Sequence, residues 1–83
     1  MKILYFAWLK EKTGVGAEDL PLPDGVTDVA GLIAVLKLRG GGFDEAFANS
    51  AIVRVAVNQE HVGTDHVLAD ADEVAFFPPV TGG

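Results

Sequence analysis

The sequence predicts an α+β fold: a mixed sheet of about five strands, one main helix across one face, and a projecting C-terminal tail. Three observations predict it. Short runs of branched and aromatic residues recur along the chain, one stretch between them carries apolar residues at helical spacing, and the last strand-like run ends on two prolines. With 83 residues, 49% apolar and 22% charged, the chain makes one small domain over residues 1–77 and a tail over 78–83. It is too apolar for intrinsic disorder.

The opening run Lys2-Ile3-Leu4-Tyr5-Phe6-Ala7-Trp8-Leu9 is apolar at both parities and suits a central strand covered on both faces. Glu11-Lys12-Thr13-Gly14 reads as a turn, and residues 17–22 as a second strand, paired with the first and kept to a sheet edge by Pro21 and Pro23. Pro23-Asp24-Gly25 is turn chemistry. Thr27 or Asp28 then caps a helix with Val29, Leu32, Ile33 and Leu36 toward the core. Gly40-Gly41-Gly42 stops that helix, and residues 43–47 make one short helical turn. This glycine run lacks the strand-to-helix setting of a phosphate loop.

Residues 52–57 read as a half-buried strand with Arg54 outward, and Asn58-Gln59 as a turn. A short strand is expected near His61 or Val67. Asp70-Ala71-Asp72 turns the chain into the final strand, Glu73 to Phe77, with Val74 and Phe76 inward. Strand, strand, helix, strand, short strand, strand is the order of the β-grasp, or ubiquitin-like, roll.

The net charge of -6 repels phosphate backbones and anionic lipid, so neither nucleic acid nor membrane is an expected partner, and a basic protein surface is. The chain has no apolar run long enough to span a bilayer and no signal-peptide pattern, which points to the cytoplasm. It has no cysteine, which removes thiolate and disulfide chemistry, iron–sulfur ligation and the electron-transfer ferredoxins that share this roll. His61 and His66, five residues apart without a supporting cysteine, make no metal pair, and no metal or cofactor is expected on the chain.

Pro78 and Pro79 can neither extend a sheet nor continue a helix, so the residues after Phe77 must leave the domain. Fully extended, residues 78–83 reach about 20 Å. Gly82 and Gly83 at the tip suit a channel too narrow for side chains. Two terminal glycines arise by chance in about 0.5% of chains, which favours a working tail over a frayed end.

The stretches Lys2-Ile3-Leu4-Tyr5-Phe6-Ala7 and Val55-Ala56-Val57-Asn58-Gln59, together with residues 68–83, ending Asp72-Glu73-Val74-Ala75-Phe76-Phe77-Pro78-Pro79-Val80-Thr81-Gly82-Gly83, resemble the small subunits of molybdopterin synthase. These are sulfur carriers of ubiquitin-like fold. The similarity runs along essentially the whole chain, and its final segment separates this family from the thiamin-pathway carriers. Ala71 departs from the glycine usual in the family's turn.

The resemblance implies that Gly83 is the working residue. Its carboxylate is a poor electrophile, so a ubiquitin-activating-type adenylyltransferase converts it with ATP to an acyl-adenylate, and sulfur then displaces AMP to leave a thiocarboxylate. The loaded tail enters the large synthase subunit and donates sulfur to cyclic pyranopterin monophosphate, twice per product, within an assembly of two small subunits on a dimer of large ones. Acid–base groups belong to the partners, so the chain is no enzyme on its own.

The sheet face opposite the helix is the expected docking surface. Strand alternation that turns Ile3, Tyr5 and Ala7 toward the helix puts Leu4, Phe6 and Trp8 on the other face, with Phe77 beside them. The partner-binding residues are therefore Phe6, Trp8, His61, Phe77, Pro78, Pro79, Val80 and Thr81, with His61 standing where the resembled family has an apolar docking residue. Asp70, Asp72 and Glu73 form an acidic cluster expected beside the tail exit, either steering a partner or lining a solvated turn. The alternatives are a carrier for thiamin synthesis or tRNA thiolation, a ubiquitin-like protein modifier, and a β-grasp interaction module with an inert tail.

Overall fold

A computed structural model of the chain describes residues 1–79. Its five strands are β1 (Lys2–Tyr5), β2 (Ala17–Asp19), β3 (Arg54–Val57), β4 (Glu60–Val62) and β5 (Glu73–Phe77). The helices are α1 (Trp8–Thr13), α2 (Val29–Leu38) and α3 (Phe43–Ala46), and a 3-10 turn covers Ser50–Ile52. The sheet order is β2-β1-β5-β3-β4, with β1 and β5 parallel and the other pairs antiparallel. This is the predicted β-grasp roll. β1 is interior as expected, but the middle place belongs to β5.

The first strand is shorter than its composition suggests. At Ala7 the backbone turns to φ 53° and ψ -132°, and the chain enters α1 where a strand through Leu9 and then a turn were expected. Leu9 and Thr13, one helical turn apart, are both buried on the inner side of α1. Gly14 closes the helix in the left-handed region at φ 76°, its N–H donating to the Lys10 carbonyl. Competing with the apolar run was an i, i+4 pair followed by a helix-closing glycine, and burial of that pair decided for the helix. Ala7 is consequently exposed rather than inward, and Trp8 packs half-buried against the edge of the core.

α2 follows the prediction. Asp28 caps it, accepting from the Gly31 N–H at 2.9 Å, and Val29, Leu32, Ile33 and Leu36 are buried. They meet the inner face of the sheet, where Ile3, Tyr5, Val55, Val57, Val74 and Phe76 are buried with Phe43 and Phe47. β3 begins at Arg54, two residues later than expected, because residues 50–52 form the 3-10 turn and leave Ile52 43% exposed. The short strand forms at His61, while Val67 makes an isolated bridge to Asp28. No helix among the described residues is long and apolar enough to cross a membrane.

Candidate functional site

The candidate site is the sheet face that α2 leaves uncovered, at the end where β5 hands the chain to the prolines. Residues directly opposite one another across paired strands share a face. The register therefore sets Ala17, Leu4, Ala75, Ala56 and His61 in one row across all five strands. Two residues further along β5, Phe77 stands opposite Arg54. Phe6 lies two residues beyond Leu4, its N–H donating to the Phe76 carbonyl at 3.1 Å, so it extends the same face.

The result is a floor of small residues, Ala17, Ala56 and Ala75, edged by Phe6, Phe77, His61 and Arg54. Phe6 is 48% exposed, Phe77 half-buried, and His61 and Arg54 exposed. The His61 ring rests on Phe77 with centroids 5.1 Å apart, which ties the edge strand β4 to the last residue of β5. Arg54 donates to the Ala51 carbonyl at 2.9 Å, holding its guanidinium near that corner. Pro78 and Pro79 continue from Phe77, both half-buried. The predicted site residues Val80, Thr81, Gly82 and Gly83 lie outside the described residues.

Two predicted placements need correction. Trp8 is not on this face, because α1 turns it against the core edge. The acidic cluster is not beside the tail exit: Glu73 and Phe77 are opposite ends of β5, about 13 Å apart at strand rise.

Asp70 and Asp72 are loop fasteners there. Asp70 accepts from the Leu22 N–H at 2.7 Å. Asp72 accepts from the Ala69 N–H at 2.8 Å and from Asn58 Nδ2 at 2.9 Å, and these bonds, the backbone one first, lower its pKa.

Ala71, where the resembled family has glycine, takes no glycine conformation: among the described residues the non-glycine ones at positive φ are Ala7, Asn58 and Gln59. Sequence reasoning placed Arg54 outward, as found, but did not join it, Ala56 or Ala75 to the face of Phe6 and Phe77. Ala75 and Ala56 were legible from parity, two before Phe77 and two after Arg54, whereas setting Arg54 opposite Phe77 and Ala56 opposite Ala75 depends on the β3–β5 register.

The described residues contain no group of three metal-ligating side chains. The face offers shape and apolar contact, an arrangement suited to docking.

The sequence model of the ThiS family matches residues 3–83. The chain belongs to the ThiS family. Across its full length it is 37% identical to the molybdopterin synthase sulfur carrier subunit of Escherichia coli, of which it covers 99%. A solved Pyrococcus furiosus protein described as subunit 1 of a molybdopterin converting factor superposes with a TM-score of 0.75 at 36% identity, over 95% of each chain. The small archaeal modifier protein 1 of Haloferax volcanii superposes with a TM-score of 0.67 at 27% identity, over 96% of this chain and 97% of that one. This ThiS-family chain thus has sulfur carrier subunits and a modifier protein among its relatives, all built on the same roll.

Proposed function

We propose that this chain is the sulfur carrier of molybdenum cofactor biosynthesis and works through the C-terminal carboxylate of Gly83. The observation that carries the reading is the end-to-end match to sulfur carrier subunits, reaching Gly83 itself. The geometry supports it, because the apolar corner of Phe6, Phe77 and His61 adjoins the point where the tail departs. A partner seated on that corner receives the tail beside it.

In this reading a ubiquitin-activating-type adenylyltransferase docks on the open face. The Gly83 carboxylate attacks the α-phosphorus of ATP, and pyrophosphate leaves. The outer sulfur of a donor persulfide then attacks the carbonyl carbon and AMP departs with the bonding pair, leaving an acyl disulfide; a thiol of the donor system attacks the donor's sulfur, the S–S bond breaks, and a thiocarboxylate and a donor disulfide remain. The large synthase subunit takes the same face and the same tail, and the thiocarboxylate sulfur passes to cyclic pyranopterin monophosphate. Gly82 keeps the tip narrow. Residues 1–77 act as handle and 78–83 as arm, while ATP and all acid–base groups reside with the partners, in the cytoplasm.

The test is the intact mass of the protein after incubation with ATP, a sulfur source and a matching adenylyltransferase, beside a variant lacking Gly83. Replacement of one oxygen by sulfur adds about 16 Da, expected only on the full-length chain. No gain with an adenylyltransferase active on another carrier overturns the proposal.

The similarity to a modifier protein favours a second reading, attachment of Gly83 to lysines of other proteins. The same incubation supplemented with cell extract distinguishes it, since a modifier yields adducts with an isopeptide mass and a carrier yields none.

A further inference from the structure

A second apolar surface lies on the far side of the molecule from the docking face. α2 contains one charged residue, Lys37, in ten. Its inner side is spent on the core, yet its outer side is also apolar: Ala30, Ala34 and Leu38, at i, i+4 and i+8, are all exposed. Leu38 is 86% exposed, the most exposed of the large apolar residues among those described. These three side chains border a groove of about 510 Å³ completed by Ile33, Lys37, Phe47, Ser50 and Thr64. A helix hydrophobic on both sides belongs in an interior, so the outer stripe is unpaired in the single chain.

We propose that the occupant of this groove is a second copy of the chain, joined through α2 around a two-fold axis at Ala34. The spacing is self-complementary. With the helices antiparallel, Leu38 of one copy stands opposite Ala30 of the other, each four residues from the axis, so that the large side chain meets the small one twice.

Ala34 sits on the axis, where a short side chain lets the backbones approach. Charge agrees with the antiparallel arrangement. Lys37 forms no ion pair among the described residues, and the axis sets it opposite Gly31 of the second copy, three residues or about 4.5 Å from the Asp28 cap. Asp65 flanks the same helix end, next to Thr64, whose carbonyl accepts from the Ala30 N–H. A parallel pairing would oppose Leu38 to Leu38 and Lys37 to Lys37.

One helix face and one groove make an interface of the small, transient class, below about 1,200 Å². The dimer leaves the open sheet face and the tail free on both copies, so association and docking are independent.

The experiment is a concentration series to about 1 mM followed by sedimentation equilibrium, on the full chain and on Leu38→Asp and Lys37→Glu, with circular dichroism to check that both variants fold. The expected result is a rise from 8.7 kDa toward twice that mass, with the dissociation constant at least tenfold weaker in Leu38→Asp and several-fold weaker in Lys37→Glu. Because the chain has no cysteine, single-cysteine variants add an independent reading. Ala34→Cys, on the axis, should form a disulfide-linked dimer under mild oxidation faster than Ala71→Cys, an exposed site outside the interface. A monomer throughout the series, a dimer indifferent to Leu38→Asp, or equal linking at 34 and 71 each overturns the proposal.

Discussion

The hydroxyl of Tyr5 donates to Glu18 Oε2 at 2.7 Å, from a ring that is 1% exposed. Arg39 grips the same carboxylate with Nη1, 3.0 Å and 2.8 Å from its two oxygens, while its guanidinium lies 4.1 Å over the Phe43 ring. One carboxylate on edge strand β2 thereby joins β1, the end of α2 and the start of α3. Removing the acceptor should cost more than removing the donor. Tyr5→Phe leaves Glu18 paired with Arg39 and is expected to lose about 1 kcal/mol, whereas Glu18→Ala strands a buried hydroxyl and should lose about 1–3 kcal/mol. Urea unfolding of both variants and of the double variant gives the coupling directly.

Burial, then the bond to Glu18 and its charge, raise the Tyr5 pKa far above the ordinary 10.0. Ionisation is thus easier in the unfolded chain. The stabilising contribution is complete below pH 10.0 and lost as pH climbs above it. Tyr5 is the one tyrosine, so tyrosinate absorbance reports it alone. That absorbance should appear together with loss of the circular dichroism signal and not before it.

At Asp72 the sign is opposite. Its pKa is held below 3.8, so the contribution is present above that value and is lost as pH falls through the folded pKa. The urea midpoint of the native chain should decline in that acid range, and Asp72→Asn should flatten the decline while lowering the midpoint at neutral pH.

Asn58 and Gln59 take φ of 50° and 70° in the two-residue turn between β3 and β4. Asn58 also latches the start of β5: its N–H and its Oδ1 pair with the Glu73 backbone at 2.8 Å and 3.0 Å. Gln59 has no such bond, and a glycine there suits the turn better. Gln59→Gly should stabilise by up to about 1 kcal/mol, and Asn58→Ala should destabilise by about 1–2 kcal/mol. Gly42→Ala is the harsher change, since φ there is 102° and a Cβ would overlap the Lys12 carbonyl oxygen between α1 and α3. A loss above about 2 kcal/mol in thermal or urea unfolding is expected.

In the proposed reading, Phe6 and Phe77 contribute more to docking than to the core. Phe6→Asp and Phe77→Asp should leave the unfolding midpoint within about 1 kcal/mol of the native chain, while weakening capture by the large synthase subunit at least tenfold. Titration calorimetry against that subunit makes the comparison. Equal affinity in both variants would move the docking surface elsewhere.

The sequence by itself determined the elements whose local chemistry agrees with their burial. α2 has its Asp28 cap, its 3.6-residue apolar face and its closing glycines, and β5 has alternation ending on Pro78. The end of β5 at Phe77 could be read outright, because the prolines that follow act through covalent geometry and need no tertiary partner. What only the tertiary structure decided were matters of pairing across distance. The run at residues 2–9 suits either a strand or a helix, and burial of Leu9 and Thr13 together resolved it at Ala7. The acidic turn became a set of fasteners because Asp72 meets Asn58 and Asp70 meets Leu22 across the fold. The open face brought Arg54 to Phe77 and Ala56 to Ala75 through the β3–β5 register, since strand parity is local but register is set by which buried rows can pack against α2.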